Sequence, residues 1–201
     1  MTTKAKKAMK LKVLLVEDNA DDADLLRKSL AKVASTLFEL THVERLEEAL
    51  QICLQMWGDD EGPFEGRHSH LARTLNSPQP LSRPHPPILI GGSGEKKTLR
   101  LVARYAQACN LFGGPDDVKR KFEVLRAHCE AEGRPYDEIQ KTVGYNFDVG
   151  ENGERVGQTI EDLKRLAAVG VQVAHGRVQR VWELTPLEVI GKEVFPAVAD
   201  L

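Results

Sequence analysis

Residues 86–97 read Pro86-Pro87-Ile88-Leu89-Ile90-Gly91-Gly92-Ser93-Gly94-Glu95-Lys96-Lys97, and the reading of this stretch decides the fold. Ile88, Leu89 and Ile90 are β-favouring aliphatics. Beyond the glycines, Leu99, Val102, Ala103 and Ala106 recur at helical spacing, so a helix is expected from about Glu95. Strand, glycine turn and helix start form a geometry that cradles a phosphate. Glycines let the backbone approach, amide N–H groups point outward, and the helix dipole favours negative charge. Gly91, Gly92, Ser93 and Gly94 are therefore candidate anion-binding residues, and Lys96 and Lys97 add positive charge beside them. The pattern is neither a Walker loop nor a complete dinucleotide fingerprint.

Downstream the chain repeats the same unit. Ala108–Phe112 reads as a strand that ends in Gly113-Gly114-Pro115, a second candidate phosphate-facing turn. A helix with the stripe Val118, Phe122, Leu125 and Cys129 follows, and Gly133 closes it. Thr142–Val149 is the next strand, and Val156, Ile160, Leu163 and Ala167 mark a helix stopped by Gly170. Val171–Ala174 is the last expected strand, ending in His175-Gly176, and Pro186 opens a final helix. A histidine at a strand end faces the mouth of a βα architecture. His175 has no identified partner in the sequence and is read as structural, so no catalytic residue is assigned. His128 is read as packing.

Upstream, Lys12–Val16 is a short strand, Asp21–Ala34 a helix, Phe38–Val43 a strand and Leu46–Trp57 a helix. The order βαβα signals a parallel sheet. Gly58–Pro86 is rich in proline and carries His68, His70 and His85; it reads as an insertion loop too long for an ordinary connection. His68-Ser69-His70 lacks a carboxylate or thiolate at regular ligand spacing, so no metal is assigned there.

The chain has 201 residues, 28 Lys and Arg against 30 Asp and Glu, and a net charge of −2. That balance gives no support for nucleic-acid binding. No apolar run is long enough for a membrane span. Cys53, Cys109 and Cys129 lack metal-type spacing and read as reduced thiols in a cytoplasmic setting.

Two resemblances follow from particular residues. Lys12-Val13-Leu14-Leu15-Val16-Glu17-Asp18-Asn19, with Asp21-Asp22-Ala23-Asp24-Leu25-Leu26 and the segment Phe38–Leu50, resembles the start of a response-regulator receiver domain over about 11–50. The resemblance implies a Mg²⁺-holding acidic pair at Glu17 and Asp18. The strand that should carry the phospho-acceptor aspartate is missing: Pro87–Ile90 ends in Gly91. Glu17 and Asp18 are thus only weak metal candidates, and phosphorelay signalling is not expected.

The second resemblance covers about 46–201. The segment Arg73–Pro84, the Ile88–Lys97 motif, Leu99–Ala106, Cys109-Asn110-Leu111-Phe112-Gly113 and Trp182–Glu188 keep the order seen in luciferase-like flavin- or deazaflavin-dependent oxidoreductases. That family has a (βα)₈ barrel, and the strands here resemble its C-terminal half. The resemblance implies that Gly91, Gly92, Ser93, Gly94, Lys96, Lys97, Gly113 and Gly114 hold a cofactor phosphate, that of FMN or the deazaflavin coenzyme F420. It also implies that the strands facing the ring from the other side are absent.

Together these readings describe a chimera joined within Leu46–Trp57. The fold expected is one α/β domain with six parallel strands, a hybrid of flavodoxin-like and half (βα)₈-barrel architecture, its sheet doubly wound or partly curled. Three functions follow: a hybrid scaffold without a complete active site that keeps an anion-binding loop for phosphate, sulfate or a flavin phosphate; a flavin- or deazaflavin-dependent oxidoreductase completed by dimerisation; or a receiver-type signalling module. Open sheet edges make a homodimer the expected assembly.

Overall fold

The computed structural model describes the backbone of residues 9–16, 20–31, 36–43 and 45–201, and side chains for 24–30 and 45–201. The sequence reads as one domain; the fold divides into two compact units, Met1–Pro86 and Pro87–Leu201.

In the first unit β1 (Met9–Val16) and β2 (Thr36–Val43) pair in parallel across α1 (Ala20–Ala31), with Met9 opposite Thr36 and Val16 opposite Val43. The helix α2 (Leu46–Trp57) follows, and its Ala49 and Ile52 are buried against Phe64. The expected loop 58–86 contains a small antiparallel ladder, β3 (Phe64–Glu65) with β4 (His70–Leu71). Strands of two residues are too short to show alternation. The ladder is held instead by Glu48 of α2, whose carboxylate accepts the His68 amide at 3.0 Å. Burial opposes that charge, but hydrogen bonds from Ser69 and His68 outweigh it and keep Glu48 below the ordinary carboxylate range.

The second unit is a four-stranded parallel sheet in the order β5 (Leu89–Gly91), β6 (Ala108–Leu111), β7 (Gln140–Phe147), β8 (Val173–Val178). Six strands in one sheet are not found. Among the described residues, hydrogen bonds join β1 only to β2, and the larger sheet has four strands. Nor is that sheet doubly wound. A doubly wound sheet reverses its strand order at a switch point. Here the order is sequential, so right-handed crossovers put α3 (Thr98–Tyr105), α4 (Pro115–Glu132) and α5 (Val156–Ala168) on one face. The helices pack in that sequence, α3 on α4 and α4 on α5. Single winding is the topology of a barrel wall.

Alternation along the strands sorts the residues. Ile90, Cys109, Leu111 and Val143 are buried on the helix side. Val118, Phe122, Leu125 and Cys129 of α4 are buried at helical spacing. Each large apolar side chain so buried contributes about 1.5–3 kcal/mol. The opposite side carries Asn110, Thr142, Val173 and His175, and much of it is open: Leu89, Val173, His175 and Arg177 are exposed.

The chain ends in α6 (Thr185–Val189), a π turn over Ile190–Val194 and α7 (Phe195–Val198). A single helix is expected here. Pro196 has no N–H and its ring crowds the carbonyl one turn back, which accounts for the widened turn before it. Ile190 and Val194 still reach the core beside Val156 and Leu163.

Candidate functional site: a glycine loop and an open sheet face

The loop after β5 is fixed from both ends. The Gly92 amide donates to the Asn110 carbonyl at 3.0 Å, and the Leu99 amide donates to the Gly94 carbonyl at 3.0 Å. Gly92 has φ +127°, a conformation that side-chain-bearing residues rarely adopt. A Cβ on Gly94 would lie 2.8 Å from Thr98 Oγ1, so the loop can close over Thr98 only with glycine there. A Cβ on Gly91, by contrast, would meet only open space.

A helix leaves its first amides without intrahelical partners, and α3 has neither a side-chain cap nor an acidic residue in its first turn. Ser93 Oγ is buried and has no hydrogen-bond partner. Lys96 and Lys97 are exposed beside it. An orphaned hydroxyl, a helix start without a capping side chain and two lysines are the groups from which an anion site is built. Glu95 is the one negative side chain in the loop, and α4 removes its influence. Arg120 makes an ion pair with the Glu95 carboxylate. His128 Nε2–H donates to the Glu95 carbonyl at 2.7 Å.

The second glycine loop has the opposite character. Gly113 has φ +131°, and a Cβ there would come within 2.7 Å of Asp117 Oδ2. Gly114 is the N-cap of α4, and Asp116 and Asp117 fill the first turn. Hydrogen bonds from Lys121 and Arg120 hold the Asp117 carboxyl below the ordinary range. Lys121 is itself buried and donates to Asp117 at 2.6 Å and to the Phe112 carbonyl at 3.0 Å. The positive end of α4 is thus already matched by a side chain of the protein. The positive φ of Gly113 is what this turn requires.

His175 is not at a strand end. The β7–β8 ladder runs on to Phe147 opposite Val178, which places His175 inside β8, opposite Gly144. Its Nε2 is 3.3 Å from the Thr142 hydroxyl, which lies 2.8 Å from the Cys109 carbonyl and 3.0 Å from Asn110 Oδ1. Sequence could not supply these partners because they come from two other strands, β6 and β7. Glu17 and Asp18 lie outside the described residues. In the first unit His70 Nδ1 is 2.7 Å from Glu65, and among the described residues no three His, Cys, Asp or Glu side chains are grouped to hold a metal. Nor is any helix there long and apolar enough to cross a membrane.

A singly wound parallel sheet with glycine loops at the carboxyl ends of its strands defines an α/β protein and is consistent with one wall of a (βα) barrel. The sequence of residues 40–190 matches the family of luciferase-like monooxygenases, and the chain belongs to that family. Among solved structures it is similar to an F420-dependent secondary alcohol dehydrogenase in complex with an F420–acetone adduct, with 15% identity, a TM-score of 0.64 and coverage of 76% of this chain and 61% of that one. It is also similar to the coenzyme F420-dependent tetrahydromethanopterin reductase from Methanopyrus kandleri, with 15% identity, a TM-score of 0.58 and coverage of 75% and 62%. A third is the oxygenating constituent of 3,6-diketocamphane monooxygenase from Pseudomonas putida in complex with FMN, with 16% identity, a TM-score of 0.50 and coverage of 76% and 62%. At these identities the likeness is one of fold. The chain spans about three fifths of the length of these proteins.

Proposed function

We propose that the second unit binds the phosphate of a flavin or deazaflavin cofactor, FMN or F420, in the loop Gly91–Lys97. The observation that carries this reading is the orphaned Ser93 hydroxyl beside the uncapped start of α3. A phosphate oxygen satisfies that hydroxyl and the free amides together, and Lys96 and Lys97 lower its cost in water. Such a cofactor would supply hydride or oxygen chemistry. This chain's own residues bind and orient its phosphate, while Arg120 and His128 hold the loop in place.

The ring of such a cofactor needs a wall on each side. The open face between β5 and β8 offers one. As an assembly we propose a second copy that completes the enclosure, favoured by the unpaired outer edges of β5 and β8 among the described residues. Without it the chain is a hybrid scaffold that retains an anion-binding loop. Chimeric descent remains part of this reading for residues 11–50; receiver-type signalling is the least favoured role, since no aspartate ends β5.

Titration with FMN tests the reading. Gly92→Asp puts a carboxylate at the anion position and is expected to weaken FMN at least tenfold, as does excess inorganic phosphate in the wild type; affinity unchanged in both contradicts it. If a second copy completes the site, FMN affinity rises with protein concentration.

A further inference from the structure

The Thr142 hydroxyl has one proton and faces three polar groups. The Cys109 carbonyl can only accept, and at 2.8 Å it is the nearest, so Thr142 donates there. Both lone pairs of Thr142 are then available to donors. Asn110 Oδ1 at 3.0 Å is a second acceptor for that one proton, so whichever oxygen takes it the hydroxyl has none left for the His175 ring. The ring at 3.3 Å can then only donate to Thr142, which requires a proton on Nε2. A neutral imidazole protonated on Nε2 carries its lone pair on Nδ1. His175 stands on the exposed side of the sheet.

The neighbouring residue completes a platform. Gly144 faces His175 across the ladder, and a Cβ on it would lie 2.5 Å from Cε1 of Phe112. The missing side chain lets the phenyl ring lie across β7, and Phe112 remains 55% exposed. An apolar ring, a glycine bed and a histidine acceptor therefore sit side by side at the same end of the sheet as the Gly91–Lys97 loop.

We propose that His175 is a ligand-binding residue, whose Nδ1 accepts a hydrogen bond from a ring N–H of a flat heteroaromatic ligand lying against Phe112, with Thr142 as the group that fixes the ring. This deepens the cofactor-site reading above and rests on it. Riboflavin, which has the ring without the phosphate, is the probe. Its affinity is expected to fall about tenfold in His175→Ala and His175→Gln, the loss of one well-placed hydrogen bond. His175→Asn, which keeps an acceptor near the δ position, retains it within about twofold. In ¹⁵N-histidine spectra of the wild type in mildly alkaline buffer, His175 shows the Nε2–H tautomer, and Thr142→Val abolishes that preference.

Three results overturn the proposal: an Nδ1–H tautomer in the wild type, riboflavin affinity unaltered in His175→Ala, or no riboflavin binding by the wild type. Failure of the phosphate loop is a separate result. There FMN binds the wild type no more tightly than riboflavin does, while the His175 series keeps its pattern.

Discussion

Glu95 brings a carboxylate into a loop whose other groups favour anions, and the fold answers that charge with Arg120 from the neighbouring helix. Asp117 does the reverse, supplying the charge that the start of α4 wants. Two glycine loops that look alike in sequence thus differ in the charges set around them. The depressed pKa of Asp117, set by hydrogen bonds from Lys121 and Arg120, has a consequence for stability. A carboxyl group whose pKa is lower in the folded state stabilises the fold above its unfolded value of about 3.9 and loses that contribution as pH falls through the folded one. Asp117→Asn is expected to flatten the acid limb of a stability–pH curve below about pH 4. Denaturant midpoints between neutral pH and pH 2 check this, and an acid limb identical to the wild type's refutes it. At this scale the sequence offers Gly91–Gly94, Lys96 and Lys97 as candidates for an anion loop. It does not show the roles of Arg120, His128, Asn110 or Thr142, because their partners lie on other elements.

The elements themselves were mostly legible. The stripe from Val118 to Cys129 gives α4, and Leu46–Trp57 is the helix that its spacing predicts. What periodicity could not give is pairing. The last strand reads as stopping at Ala174, ahead of His175-Gly176; hydrogen bonding to Tyr145, Asn146 and Phe147 keeps it extended to Val178. Gly176 is in that strand for a reason of space. A Cβ there would lie 1.9 Å from the Tyr145 carbonyl oxygen, a backbone atom that cannot move aside. Gly176→Ala is therefore expected to cost about 2 kcal/mol or more by forcing β7 and β8 apart. Gly157 in α5 is the control: nothing lies within 4 Å of its would-be Cβ, so alanine there is neutral or stabilises by up to about 1 kcal/mol. Urea unfolding of both variants measures the contrast, and equal effects would show that the β7–β8 approach is not tight. Strand order was beyond the sequence as well. Doubly and singly wound sheets are built from the same βα repeat and differ only in where each strand docks.

For the whole molecule, the family match over residues 40–190 and the sequential order of β5 to β8 agree on a barrel-type wall. The loop that the sequence marks off at Gly58–Pro86 ends where the fold divides, although the sequence alone reads the chain as one domain, since a proline-rich segment separates units and decorates single domains equally well. The function proposed rests on one physical distinction: the first turn of α3 carries no acidic side chain, whereas that of α4 carries Asp116 and Asp117. Backbone amide spectra recorded while inorganic phosphate is added test that distinction most directly. The account predicts saturable shifts concentrated in Ser93–Thr98 and none of that kind at Gly114–Val118. Shifts centred on the start of α4, or no saturable shift anywhere in 91–98, would contradict it.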